Sequence, residues 1–428
     1  MSTDPAARRG GLRGILLDVE PLRRDRDYRL LWTGQVISGV GRQVTVVALP
    51  FQLYVLTGST LAVGLLALVQ LVPILVFALG GGAVADAVDR RRLLLITQLG
   101  LTVASGALFL LASSPDAPIW GYYFVAFVAA GLGAVDQPAR SSAVPRLVPR
   151  ERLPAAIALN QLGFQAMAVA GPALGGILIA TVGVAAAFAF DAVTFVAAIV
   201  AVLLIAPIPP APGAARPSIA TVKEGLRFVR RRRIVLSTFV VDFVAMVFGM
   251  PTSLFPALAL DVYGVGAAGL GLLAAAPAAG ALVGAALTGW VGRIRRPGRA
   301  VIVAVAGWGL SITAFGLSAW FPLALLFLAM AGAADVFSAV LRSAIVQLET
   351  PDEIRGRVVG VHILVVTSGP RLGDAEAAAV AALTSAQFSV VSGGILCLVG
   401  LAEVARRFPE LRGYVYPAGG TAEPVPSA

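Results

Sequence analysis

Apolar stretches of about 20 residues, the length that carries a helix across a bilayer, recur along the whole 428-residue chain. They lie near residues 30–56, 60–85, 93–113, 119–138, 155–181 and 184–206, and again near 234–259, 267–291, 300–319, 322–341, 358–383 and 387–405. The pattern predicts an all-α membrane protein with 12 transmembrane helices, six on each side of one long connector, residues 207–233. The connector opens on Pro207, Pro209, Pro210 and Pro212 and closes on Arg230 to Arg233. Inside it, Ile219, Val222, Leu226 and Val229 recur at helical spacing, which predicts an amphipathic helix along the membrane surface. The expected organisation is a segment 1–29, a six-helix half 30–206, the connector 207–233, a second half 234–407 and a tail 408–428.

Charge sharpens this picture. Only 13% of residues are charged, about half the supply of an ordinary soluble domain. Thirty of the 33 Lys and Arg fall in alternate inter-helix segments when the N-terminus is placed inside, and the intervening segments hold none. Basic residues gather on the cytoplasmic side of membrane proteins. Both termini are therefore expected in the cytoplasm, with the chain a multi-pass protein of the cytoplasmic (inner) membrane. The net charge of +10 is then an orientation signal, and no nucleic-acid partner is expected. Residues 1–29 are polar and Arg-rich and lack the short apolar core of a signal peptide.

The counts also exclude chemistry. One cysteine, Cys397, permits no internal disulfide, and one histidine, His362, cannot build a structural zinc site. The single lysine, Lys223, follows Val222 and not a glycine, so there is no Walker A loop. Neither metal, cofactor nor enzymatic activity is expected.

The two halves repeat each other. Arg140-Ser141, Pro149 and Glu151 match Arg342-Ser343, Pro351 and Glu353 at an offset of 202 residues. Gly171-Pro172-Ala173-Leu174-Gly175 matches Gly369-Pro370-Arg371-Leu372-Gly373 at 198. Two six-helix repeats of the same orientation are the plan of a transporter that rocks one half against the other.

Between the second and third spans, Gly82, Asp86, Asp89, Arg90 and Arg91 resemble the loop signature Gly-x-x-x-Asp-x-x-Gly-Arg-Arg of the major facilitator superfamily, with Asp89 in place of the second glycine. In the fifth span, Gly163, Gly171, Pro172, Gly175 and Gly176 resemble the motif of that superfamily's exporters. Pro351 to Val358, Gly373-Asp374 and Gly225-Leu226-Arg227-Phe228 resemble its enterobactin (siderophore) exporter branch, over residues 25–407. The resemblance implies the major facilitator fold and a latch between halves at the loop 2–3 signature. It also implies that spans 1, 4, 7 and 10 line a central cavity.

A charge at the centre of a membrane helix costs about 2.5–3.5 kcal/mol on insertion scales, so those retained are expected to face the bundle interior. On the implied lining spans stand Arg42, Asp136, Asp242 and Asp335, read here as the substrate path. Asp136 and Arg140 at i,i+4, and Asp335 and Arg342 at i,i+7, can alternatively pair with one another. Arg42 has no partner on its own helix. Arg371, Asp374 and Glu376 on the eleventh span are the expected coupling or gating group, with Arg371 and Asp374 placed to pair at i,i+3. Asp191 and His362 are weaker candidates.

The expected function is secondary active export of a small, siderophore-like organic molecule by a monomer embedded in the lipid bilayer, with a proton as coupling ion. A broad drug-efflux pump, an importer and a non-transporting membrane scaffold or sensor are the alternatives.

Overall fold

The computed structural model describes residues 18–87, 89–209, 219–287 and 294–416, without the side chains of residues 78–87 and 219–222. Among the described residues it is helical throughout, with no strand. The first set of long helices is α1 (Arg26–Thr57), α2 (Thr60–Ala87), α3 (Arg90–Ser113), α4 (Ile119–Leu147), α5 (Leu153–Thr181) and α6 (Val184–Leu203). A connector helix, Ile219–Arg231, leads to α7 (Arg233–Phe248), α8 (Gly266–Ala286), α9 (Pro297–Leu317), α10 (Phe321–Glu349), α11 (Arg355–Leu383) and α12 (Ala386–Arg407). Eleven helices are long and apolar enough to cross a membrane. The exception is α11, which at 29 residues is about 43 Å long but carries Arg371, Asp374 and Glu376.

The outer surfaces of the helices are apolar. Ile96, Val103 and Leu110 on α3, and Val303, Leu310 and Leu317 on α9, form exposed stripes at seven-residue spacing. Stripes of this kind belong against lipid. Short turns separate the helices; Gly58, at φ 61°, closes α1 in the left-handed conformation and lets α2 begin at Thr60.

The seventh span was expected as one unbroken helix. Instead α7 stops at Phe248, and the chain continues as a 3-10 turn (Thr252–Leu254), a single α turn (Phe255–Ala257) and a π turn (Leu258–Val262). Pro251 and Pro256 lack the N–H that a continuous helix would use.

Within the first set, α1 packs on α5 and α6, α3 on α4 and α6, and α2 on α4. Within the second, α10 packs on α8 and α9, and α7 and α9 on α12. The two sets meet along α2–α11 and α5–α8. The crossing of α5 and α8 has no room for side chains. A methyl group at Gly176 would lie 2.7 Å from the Ala267 carbonyl oxygen and 2.8 Å from Cα of Gly271. Three hydrogen bonds join the sets among the described residues. Tyr54 donates to Asp261, Arg371 donates to Gln70, and Thr60 Oγ1 donates to the Ala378 carbonyl at 3.2 Å. All of these contacts lie toward the end of the bundle where α1 turns into α2, the end remote from the connector.

At the connector end each half is tied to itself. Arg232 Nη2 reaches Glu349 Oε2 at 2.7 Å, and Tyr414 donates to Glu349 Oε1 at 3.0 Å. Burial and the neighbouring carboxylate push the Tyr414 phenol above its ordinary range. The connector helix runs against α11, where Arg357 pairs with Glu224.

Gly176→Leu overpacks the α5–α8 crossing, at a cost of about 1–3 kcal/mol. The expected result is a shift of roughly fivefold or more away from this arrangement. Spin labels on the α1–α2 and α7–α8 turns should read it as a longer separation.

Candidate functional site

The intramembrane charges gather in two groups, one in each half. In the first half Asp136 is only 3% exposed. Its carboxylate accepts from Arg140 Nε at 2.6 Å, Thr97 Oγ1 at 2.7 Å and Gln98 Nε2 at 2.8 Å. The i,i+4 pair read from the sequence is therefore formed. It is sealed between α3 and α4, which takes Asp136 off any open path.

Asp191 of α6 is as deeply buried and accepts from Thr45 Oγ1 and Ser105 Oγ, both at 2.7 Å, on α1 and α3. Gly41 makes this possible, because a methyl group there would stand 2.0 Å from Thr194 Oγ1 and 2.8 Å from Asp191 Oδ1. Three helices thus converge on a carboxylate that ranks low in the sequence. The signal that marks it is a lone acid in the apolar run Ala185 to Val202.

Arg42 sits midway along α1, half-buried, with the charges of Asp136, Arg140 and Asp191 within electrostatic reach. Its guanidinium makes no hydrogen bond and no ion pair within 4 Å among the described residues. A cation in this position, surrounded by partners that are already bonded to other groups, retains its donors for something else.

The second half repeats the position of Arg140 as Arg342, but not its partner. The residue one turn back, Asp136 in the first half, is Ser338 in the second. Arg342 Nη1 donates to Ser338 Oγ at 3.0 Å, while Nη2 crosses to Asp242 Oδ1 on α7 at 2.6 Å. Asp335 Oδ1 stands 3.8 Å from the same Nη2. The pairing of Asp335 with Arg342 read from spacing is thus the weaker of two. Asp242, 2% exposed, is locked into the stronger one. His362 of α11 packs edge-on against Phe239, with ring centroids 5.4 Å apart.

The expected pair of Arg371 and Asp374 is not formed. Asp374 Oδ1 accepts from Thr252 Oγ1 and the Ser253 backbone N–H, both at 2.7 Å, and so caps the short turn beyond the break in α7. Its other neighbour, Gly373, packs on the Met246 and Val247 carbonyls. Arg371 turns the other way and donates to Gln70 across the interface between the halves. Glu376 is half-buried and makes no bond among the described residues. Sequence spacing places Arg371 and Asp374 on one face; it contains nothing about the break at Pro251, which draws the carboxylate away. Gln70 and Asp261, single polar groups in apolar surroundings, are the interface residues missed.

The loop 2–3 signature is only partly visible. Gly82 and Asp86 lie on α2 where side chains are outside the described residues. Asp89 caps α3, accepting from the Arg92 N–H at 3.1 Å. Arg90 Nε donates to Ser142 Oγ at 2.9 Å, and Arg91 donates to the Val202 and Leu203 carbonyls at 3.0 and 2.5 Å. These bonds stay inside the first half and fasten α3 to the ends of α4 and α6. The fifth-span glycines use two faces. Gly163, Gly171 and Gly175 pack on α1, while Pro172 and Gly176 meet α8 of the other half.

Breaking a sealed pair strands a charge. Asp136→Asn leaves the Arg140 guanidinium buried without a counter-charge, at about 3–5 kcal/mol. The double change Asp136→Leu with Arg140→Met should recover most of it. Thermal unfolding in detergent would measure both.

Comparison with known proteins agrees with this architecture. The family profile described as "Transmembrane secretion effector" matches residues 18–414. The "Enterobactin exporter EntS" of Citrobacter koseri is 29% identical over 393 residues, covering 90% of this chain and 93% of that protein. The protein of the same name from Escherichia coli O1:K1 / APEC is 28% identical over 404 residues, covering 91% and 95%. Among solved structures, a bacterial homologue of the human lysosomal transporter Spinster, inward-facing and unoccupied, superposes with a TM-score of 0.70 at 16% identity, covering 92% of this chain and all of that one. A POT family transporter in complex with 5-aminolevulinic acid gives 0.70 at 13% identity, covering 90% and 97%.

Proposed function

The chain belongs to the transmembrane secretion effector family, membrane transporters of the major facilitator type and not enzymes, and from that premise we propose that it exports an anionic, siderophore-like small molecule by proton antiport. The observation that carries this reading is the Arg42 guanidinium, held in mid-bundle with its donors unused. An anion with paired oxygens, such as a catecholate or carboxylate, suits a planar two-donor group. The relatives named as enterobactin exporters support export as the direction and a catecholate as the substrate class.

Alternating access follows from where the halves touch. With the basic connector end placed in the cytoplasm, the three inter-half bonds and the α5–α8 crossing close the external side. The arrangement is then the inward-open one, ready to take substrate from the cytoplasm. Opening outward must break Tyr54–Asp261 and Arg371–Gln70, so Arg371 gates, and Asp374 holds the broken α7 that carries Asp261. The loop 2–3 signature would engage only when the cytoplasmic side closes. In this reading α11 is the twelfth span, its charges shielded by α2 and α7, and the protein works as a monomer in the inner membrane with both termini in the cytoplasm.

The test is uphill transport of iron-free enterobactin in proteoliposomes under an imposed pH gradient. Arg42→Ala is expected to insert normally and to lose about tenfold or more in transport, in line with removal of a charged partner from a buried bond. Arg42→Lys keeps the charge without the planar fork and should fall between. Full transport by Arg42→Ala would remove it from the site. Protection of cells against several unrelated apolar drugs, without movement of enterobactin, would favour the broad efflux reading.

A further inference from the structure

We infer that the carboxyl of Asp335 is where the coupling proton binds, as one member of a triad with Asp242 and Arg342. This deepens the antiport reading and rests on it.

The first observation is a charge count. Two carboxylates, Asp242 and Asp335, share the single guanidinium of Arg342. Arg342 gives its close contact, 2.6 Å, to Asp242 and stands 3.8 Å from Asp335. Asp335 accepts no hydrogen bond among the described residues. Two anions and one cation inside a membrane bundle leave one negative charge unmatched, and an unmatched buried charge is removed most cheaply by a proton.

The second observation is unfilled bonding capacity. Asp242 Oδ2 and Arg342 Nε are buried with no partner. Asp242 and Arg342 are themselves 2% and 5% exposed. The Asp136 group also leaves Gln98 Oε1 and Arg140 Nη1 unpartnered, but there the lone carboxylate accepts three hydrogen bonds and faces no second acid.

The third is access. Ala331, Asp335, Ser338 and Arg342 follow one another at i, i+4, i+7 and i+11 along a single face of α10. Ala331, Ser338 and Arg342 are at most 5% exposed, yet the Asp335 side chain is 36% exposed. The lipid-exposed apolar residues of this helix, Leu326, Met330 and Val340, lie on the opposite face. Solvent therefore reaches Asp335 from within the bundle, about 21 Å from the start of the helix. Asp191 and Asp374 have no such access, being 2% and 9% exposed.

The titratable and charged groups facing Asp335 are Asp242 on α7, Arg342 on α10 and, through Asp242 and Arg342, His362 on α11. The helix α8 has no ionisable side chain. The step is a bare proton binding: water on the external side gives up H⁺ to one Asp335 oxygen, an O–H bond forms, and the triad goes from one net negative charge to zero. Release to the cytoplasm reverses it. Neutral in one direction and charged in the other, the triad makes the return of the empty carrier depend on the proton.

Infrared difference spectroscopy of the full-length protein in liposomes reads the site without a substrate. Across a pH titration, one protonated-carboxyl band is expected in the wild type, lost in Asp335→Asn and kept in Asp374→Asn and Asp191→Asn. If the amide variant is not monodisperse on a sizing column, Asp335→Glu serves instead, since a carboxyl one methylene longer must move the band. A spectrum unchanged by either substitution overturns the assignment. Enterobactin transport supplies the second readout. Asp335→Asn is expected to lose at least about tenfold in pH-driven accumulation and to make what transport remains insensitive to the pH gradient. Retained uphill accumulation overturns the assignment as well. A wild type that shows the band but moves no enterobactin would defeat the substrate reading and leave the proton site standing.

Discussion

A charge inside the hydrocarbon core is tolerated only when it is paired, hydrated or neutralised, and the interior of this protein is arranged by that constraint. Each ionisable side chain in the bundle takes one of the three exits. Asp136 and Arg140 take the first, with Thr97 and Gln98 completing the carboxylate's bonds. Asp191 draws hydroxyls from two neighbouring helices. Asp374 takes the N-terminal groups of a turn that exists because prolines break α7. Among the described residues the exceptions include Arg42 and Glu376, which have no bonded partner, and Asp335, which has half of one. Those exceptions are where a ligand can do what the protein does not.

The contact between halves obeys a different rule. Apolar burial cannot drive helices together in lipid, so close association comes from small residues and a few hydrogen bonds. The α5–α8 crossing is backbone against backbone at Gly176 and Gly271, and three hydrogen bonds at one end of the bundle complete it. Such an interface is tight but shallow. Two helix pairs, α2–α11 and α5–α8, make most of it, whereas the interior of each half is held by more helix–helix surfaces and by buried ion pairs. Under the proposed alternating access, parting the halves is therefore cheaper than parting helices within one.

The fold was legible because it depends on bulk properties: span length, basic-residue placement and the offset repeat are all averages over many positions. The i,i+4 pair of Asp136 and Arg140 was legible for a local reason, since helix geometry alone brings those side chains together. Arg371 and Asp374 obey the same local rule and nevertheless part company. Their partners, Gln70 and Ser253, come from helices far away in the chain, and no spacing rule reports them. The break in α7 was hidden for a similar reason: Pro251 lies inside an apolar run, and apolarity is what defines a span. Asp242 was visible as a charge, but its capture by Arg342 depends on position 338, one turn back, being a serine where the first half has Asp136.

That difference bears on how the halves divide their work. The repeat places Arg140 and Arg342 at equivalent positions, yet in the first half the guanidinium is matched on its own helix and in the second it is borrowed from across the bundle. A pair within one helix is indifferent to movement between helices. A pair between α7 and α10, with a second carboxylate waiting at 3.8 Å, is sensitive to any shift of one helix against the other. With Ser338 where the first half has Asp136, the bond of Arg342 is an adjustable one. The first half keeps the counter-charges of Asp136 and Arg140 settled and, in the proposed reading, presents Arg42 to the ligand. The second keeps a second carboxylate beside Arg342, where the proposal puts the proton. Proposed anion site and proposed proton site then sit in different halves, and any coupling between them has to cross the interface between the halves.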